Sequence, residues 1–221
     1  MMGCCSTACG IGGFFSRFSR RYRRRYERRG LEPTQKQLVE GLNLIGLKGR
    51  TLIEIGCGVG YLHQHLLLAG ASSAVGIDLS PAMLEEAQAL AARQGLSART
   101  RYVQGDFRDI ASGLEQADVT LLDKVICCYP DAYGLLVATL QHTKEVCGFT
   151  LPRDRAVTRL GARVAAFVFR VLGSTYRPFV HDPHAIDAQM RAAGFRKVSE
   201  AQTVIWLTRI YRRSGEDALL G

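Results

Sequence analysis

The sequence has no apolar run near the roughly 18 residues that a bilayer span requires; its longest apolar stretches, residues 164–168 and 203–207, are far shorter. A secretory leader is not expected either. Residues 3–13 are small and polar, and the arginines follow them instead of preceding an apolar segment. These absences point to a cytoplasmic protein. The seven cysteines, at 4, 5, 9, 57, 127, 128 and 147, are odd in number and scattered, which excludes a disulfide framework and suits a reducing compartment. Cys4, Cys5 and Cys9 lack the C-x-x-C spacing that lets two thiolates share a zinc ion, so no metal site is expected. There is no internal repeat and no low-complexity linker. A chain of 221 residues with 47% hydrophobic residues is therefore expected to build one sizeable core.

Acidic residues are scarce in one place above all. Between Arg17 and Arg29 there are eight arginines and one acid, Glu27, which account for +7 of the net charge of +9. Phe14, Phe18, Tyr22 and Tyr26 recur at every fourth position there, a spacing that aligns them along one helical face, and Gly30 supplies a stop. Such a helix can lay its aromatic stripe on the domain and keep its guanidinium groups in water. An anionic substrate, a nucleic acid or an acidic membrane surface met by residues 14–29 stand as the alternatives. If translation began at Met2, Met-Gly-Cys-Cys-Ser-Thr would also satisfy the myristoylation pattern.

Beyond Gly30, strands and helices take turns. Thr34 and Gln37 fit a capping box for a short amphipathic helix carrying Leu38, Leu42 and Ile45. Residues 51–55, 74–79, 101–104, 119–125 and 146–151 read as apolar strands. Helices are expected over 61–69, from Pro81 behind the cap Ser80, and over 132–142. Strands this continuously apolar belong in a parallel sheet covered on both faces. The pattern then changes to an apolar helix over 155–172 interrupted by Gly161, a loop over 178–183, a helix over 187–193, and strands near 196–201 and 204–211. The expected organisation is an N-terminal Cys/Arg-rich segment and helix (1–33) followed by one domain (34–221), with 152–183 as a helical lid insertion.

The chemistry begins at Glu54-Ile55-Gly56-Cys57-Gly58-Val59-Gly60, where closely spaced glycines at the end of a strand let backbone N–H groups approach a ligand. A dinucleotide loop would carry glycine where Tyr61 stands, so bound pyrophosphate is disfavoured. Asp78, twenty residues after Gly58 at the end of the second strand, can accept hydrogen bonds from both ribose hydroxyls. Together these features describe a nucleoside site.

Residues 52–60, Gly76-Ile77-Asp78-Leu79-Ser80, Gly105-Asp106-Phe107 and residues 118–123 resemble, in order and spacing, the successive motifs of class I S-adenosylmethionine-dependent methyltransferases. The segment 123–131 is also similar to magnesium-protoporphyrin methyltransferases. The resemblance implies a doubly wound, mostly parallel seven-stranded α/β sheet and S-adenosyl-L-methionine as cofactor. It places the loop Gly56, Cys57, Gly58 and Gly60 beneath the methionyl part, Glu54 near its ammonium group and Asp78 on the ribose. Leu79 and Met83 would flank the adenine, Asp106 would accept from its amine, and Phe107 would meet the ring edge.

The sequence departs from the family in two respects. Many small-molecule relatives carry His-His after the fourth strand, where this chain has Cys127-Cys128, and small thiols there are expected simply to fill the strand end. The Asn-Pro-Pro-Tyr or Asp-Pro-Pro-Tyr loop of nucleic-acid methyltransferases is missing, so a nucleic-acid partner is not expected and a small-molecule acceptor is. An acceptor that must lose a proton needs a base. His181, Asp123 and Tyr129 are the catalytic candidates; Lys124, Tyr129, His181 and His184 are candidates for meeting the acceptor. A different reading is a cofactor-binding domain without catalysis that acts as an interaction module through its arginine-rich helix.

Overall fold

The computed structural model describes residues 13, 16, 18–171, 173 and 176–215. Cys4, Cys5, Cys9, Phe14 and Arg17, and the acylation pattern at the start of the chain, lie outside the described residues. The apolar runs form seven strands: β1 (Thr51–Ile55), β2 (Ser73–Asp78), β3 (Thr100–Gln104), β4 (Ala117–Leu122), β5 (Thr143–Pro152), β6 (Phe195–Gln202) and β7 (Trp206–Arg213). They lie side by side in the order β3-β2-β1-β4-β5-β7-β6. The first five pair in parallel, and β7 runs antiparallel to both β5 and β6.

Alternation within each strand decides which layer a side chain joins. In β1, Leu52 faces the layer formed by α2 (Pro33–Asn43), α3 (Tyr61–Leu68) and α4 (Pro81–Arg93), where Leu38, Leu62, Leu66 and Ala91 are buried. Ile53 and Ile55 face the opposite layer. There α5 (Phe107–Ile110), α6 (Ala132–Gln141) and α8 (Pro183–Ala192) bury Phe107, Leu135, Leu136, Ile186 and Met190. The sheet is thus covered on both faces. Strand order reverses between β1 and β4, and the crevice that opens there at the carboxyl ends is where folds of this type bind ligands.

Several boundaries differ from those expected, each for a local reason. β4 stops at Leu122, not at Val125, because Lys124 turns into the left-handed region at φ 60° and gives its N–H to Thr150 Oγ1 (2.7 Å). The capping box of α2 is Glu32 with Gln35, not Thr34 with Gln37; Pro33 occupies the first helical position, and Thr34 is buried. α8 begins at Pro183, earlier than expected, because Asp182 accepts the His184 N–H (2.8 Å) as its cap. Gly161 does not interrupt α7 (Ala156–Val171). A glycine there costs about 1 kcal/mol relative to alanine, which a helix of this length absorbs.

The inner edges of β1 and β4 are clasped by Asp118, whose Oδ2 accepts from the Thr51 N–H (2.8 Å) and hydroxyl (2.9 Å). Burial by itself would raise the pKa of this carboxyl. The hydrogen bonds from Thr51 and the charges of Lys144 and Arg50 outweigh it and hold the group below its ordinary value. A depressed folded-state pKa stabilises the fold above the unfolded value, and that contribution disappears as pH falls through the folded value. Asp118→Ala is expected to cost about 1–2 kcal/mol at neutral pH. Urea unfolding at several pH values checks this: the gap between wild type and variant narrows as pH falls below the ordinary carboxylate range.

Candidate active site

The turn after β1 is built on glycines because the backbone there is left-handed, with φ 64° at Gly56, 53° at Gly58 and 78° at Gly60. A side chain on Gly56 would run into Val125, and one on Gly60 would stand 2.7 Å from Gln64 Nε2. The loop is latched to β2 from two directions. Cys57 N–H donates to the Ile77 carbonyl (2.9 Å), and Gly58 N–H donates to Asp78 Oδ2 (2.8 Å). Asp78 Oδ1 accepts from the Ser80 N–H (2.8 Å) at the start of α4, whose cap is the Ser80 hydroxyl. A carboxylate has about four lone-pair positions, so these bonds leave acceptor capacity toward the cavity that Asp78 lines. Burial raises the pKa of Asp78, and the backbone hydrogen bonds oppose that rise.

Glu54, fully inside at the end of β1, is held by the His63 backbone N–H (3.1 Å) and by His63 Nδ1 (2.6 Å). His63 Nε2 lies 3.0 Å from the Tyr102 hydroxyl, which also accepts from Gln64 Nε2 (2.7 Å). Burial raises the Glu54 pKa against these bonds. A third carboxyl, Asp123, follows β4 and accepts from the Thr150 hydroxyl (2.8 Å); burial raises its pKa, opposed by the Lys124 charge. Lys124 pairs with Glu32, and its ammonium group stands 5.6 Å from the centre of the Trp206 ring.

Helix α1 (Ser19–Arg29) closes one side of this cavity. Tyr26 stacks on Tyr61 with ring centres 3.8 Å apart and an interplanar angle of 12°. Arg23 reaches Glu86 (3.0 Å) and Arg25 reaches Glu32 (3.0 Å), so α1 is tied to α4 and to the start of α2. Tyr22 and Arg25 line the cavity beside Tyr26. Among the described residues the buried Tyr61 hydroxyl has no hydrogen-bond partner. An unpaired buried polar atom on a cavity wall is where a ligand group is expected to bind.

Most of the residues singled out in the sequence meet here. Glu54, Gly56, Cys57, Gly58 and Asp78 line the cavity on the side of β1 and β2. Leu79, Met83 and Phe107 form an apolar section of its wall, and Asp123, Lys124 and Tyr129 line it from the end of β4. Gly60 lies just behind, as the residue that starts α3. Asp106 also stands behind the wall, where it caps α5 and accepts from the Tyr129 hydroxyl (3.0 Å).

The two histidines expected at the acceptor end are not on the cavity wall. His181 Nε2 is 2.9 Å from the Tyr129 carbonyl oxygen, so that nitrogen carries a proton and donates it to the backbone. His184 is exposed in the first turn of α8. Among the described residues of 152–183 none lines the cavity, and α7 has no buried residue. Tyr129 is also a poor base, because burial and the Asp106 carboxylate raise the pKa of its hydroxyl.

Sequence reasoning missed the His63–Tyr102 support of Glu54, which joins β1, α3 and β3 and has no linear signature. It also underrated Cys128. Cys127 is buried as a strand-end filler, but Cys128 lines the cavity with its Sγ 3.6 Å from the Tyr176 hydroxyl. A hydrogen bond from Cys127 makes Cys128 the more acidic of the two thiols, against the effect of burial.

Residues 52–146 match the protein family described as "Methyltransferase domain". Ribosomal protein L11 methyltransferase from Enterobacter sp. (strain 638) is 37% identical over 82 residues, which are 37% of this chain and 28% of that protein. The chain thus spans less than a third of that relative's length. Magnesium protoporphyrin IX methyltransferase from Synechocystis PCC 6803, solved with bound SAH, superposes with a TM-score of 0.69 at 20% identity and covers 92% of this chain and 98% of its own. A candidate RNA methyltransferase from Pyrococcus horikoshii superposes with a TM-score of 0.58 at 12% identity, over 82% of this chain and 84% of its own. The expectation that sets nucleic acid aside as a partner is therefore corrected: similar proteins include ones named for RNA and for a ribosomal protein. The missing Asn-Pro-Pro-Tyr loop is not a sufficient ground, since it concerns one way of gripping a planar amine. Over residues 52–146, and in its fold, the chain is similar to class I S-adenosylmethionine-dependent methyltransferases.

Proposed function

We propose that this protein transfers the methyl group of S-adenosylmethionine to a small-molecule acceptor that enters between α1 and the segment following β4. The observation that carries the reading is one continuous cavity: the ends of β1 and β2 supply a nucleoside-type cradle, and the end of β4 brings Asp123, Lys124, Cys128 and Tyr129 to the same space. The cofactor, when bound, supplies a methyl group on a sulfonium that leaves as a neutral thioether. The residues present fit it. Asp78 has acceptor capacity for ribose hydroxyls, the apolar section at Leu79, Met83 and Phe107 suits a purine, and Glu54 offers a carboxyl beside the glycine turn.

The chain's own contribution is mainly positioning and exclusion of water, since aligning a nucleophile with an activated methyl group supplies most of the acceleration. α1, stacked through Tyr26 on Tyr61, covers the cavity and limits access to bulk water. Asp123 is the carboxylate best placed to take a proton from an acidic acceptor: burial raises its pKa and Thr150 fixes its orientation. Lys124 is engaged by Glu32, so it balances charge at the entrance.

Three outcomes test this reading. Asp78→Ala removes a ribose acceptor and the latch on Gly58, and calorimetric titration of S-adenosylhomocysteine is expected to show at least a tenfold weaker affinity, about 1.4 kcal/mol or more. Asp123→Asn leaves that affinity near wild type and lowers turnover; a variant with unchanged turnover removes Asp123 from the reaction. When the protein is incubated with methyl-labelled cofactor and a cell extract, label is expected in the low-molecular-mass fraction. Label confined to RNA or protein overturns the small-molecule acceptor, and tight cofactor binding with no labelled product favours a non-catalytic domain.

A further inference from the structure

Helix α7 (Ala156–Val171) carries apolar surface that the fold does not use. At 100° per residue, Val157, Leu160, Val164, Phe167, Val168 and Val171 fall within an arc of about 100°, and each is between 45% and 73% exposed. Arg159, Arg163 and Arg170 fall together on a neighbouring arc and are exposed too. The third side, with Thr158, Ala162, Ala165, Ala166 and Phe169, is partly covered. Phe169 meets Tyr176 edge-on at 5.2 Å, and Tyr176 touches Cys128 in the cavity wall. The helix therefore meets the protein through Phe169 on its partly covered side and turns its other large apolar residues outward. Beside its start, the β6–β7 turn exposes Val204 and Ile205, and Ile205 accepts a hydrogen bond from the Arg153 N–H (2.8 Å).

We propose that α7, with the Val204–Ile205 turn beside it, lies in the plane of an anionic lipid bilayer. Charge selects this occupant. The helix contains three arginines and no acidic residue; Arg159 is paired with Asp154 just before it, and the exposed Arg163 and Arg170 keep its flank positive, which suits lipid phosphates and opposes pairing with a second copy, where like charges would face each other. The apolar stripe separates it from a nucleic-acid surface, which would need cations and polar groups in place of Val and Phe. At 16 residues the helix is about 24 Å long, and no helix among the described residues is long and apolar enough to cross a membrane. In-plane binding through a large apolar face flanked by arginines is the arrangement such a helix permits.

The test is co-sedimentation of the full chain with vesicles of equimolar phosphatidylglycerol and phosphatidylcholine. Wild type is expected to sediment, and the Val164→Asp, Val168→Asp double variant is expected to lose about tenfold or more in vesicle affinity while binding S-adenosylhomocysteine like wild type. Leu160→Ser with Val171→Ser serves as a milder second variant with the same expectation. Arg163→Gln with Arg170→Gln is expected to weaken binding to these vesicles and to leave the weaker binding to pure phosphatidylcholine unchanged. Wild type that stays in the supernatant, or stripe variants that bind like wild type, overturns the proposal. So does sedimentation equilibrium showing a wild-type dimer that Val164→Asp, Val168→Asp converts to monomer, which would assign the stripe to a second copy.

Discussion

Asp78 holds the two halves of the cofactor cradle together. One oxygen takes the Gly58 N–H at the turn after β1, and the other takes the Ser80 N–H at the start of α4. A single carboxylate thereby fixes how the glycine turn sits against β2, and it does so at the crevice where strand order reverses. The turn can reach it only because its backbone is left-handed, and Gly56 could not carry a side chain without striking Val125. Shape and charge at the site are therefore one constraint. In the proposed function, the residue that takes the ribose is also the one that orders the glycine turn.

Around that latch the protein divides its polar groups between support and chemistry. Glu54, His63, Gln64 and Tyr102 form a buried chain of hydrogen bonds linking β1, α3 and β3. Buried polar groups are costly unless satisfied, so the network keeps a carboxyl beside the glycine turn with its geometry defined. Asp123 receives the equivalent support from Thr150 on β5. By contrast, Tyr129, Asp106 and His181 spend their hydrogen bonds on one another and on the backbone.

The two arginine-bearing amphipathic helices behave differently. α1 turns Tyr22 and Tyr26 inward and pairs Arg23 and Arg25 with Glu86 and Glu32, so part of its basic charge is neutralised against the domain. α7 turns its large apolar residues outward, with Ala162, Ala165 and Ala166 on its partly covered side. The hydrophobic effect that docks α1 leaves α7 with unburied area on the side away from Phe169, which meets Tyr176 and through it Cys128.

The strand and helix alternation, the mostly parallel sheet, the glycine turn and the position of Asp78 at the end of the second strand are legible in the sequence, because periodicity, glycine spacing and caps are local properties. The sequence also showed that the tyrosines of α1 share one face. It did not determine which residues after β4 face the cavity. That depends on the left-handed turn at Lys124, made possible by Thr150 on another strand, and on the 3.6 Å approach of Tyr176 to Cys128 across 48 positions of sequence. The sequence offers His181 as a base; the fold commits its Nε2 to the Tyr129 carbonyl. Nor could the apolar pattern of 156–171 say which way the helix would turn, since periodicity reports that a face exists and only packing decides whether the domain buries it.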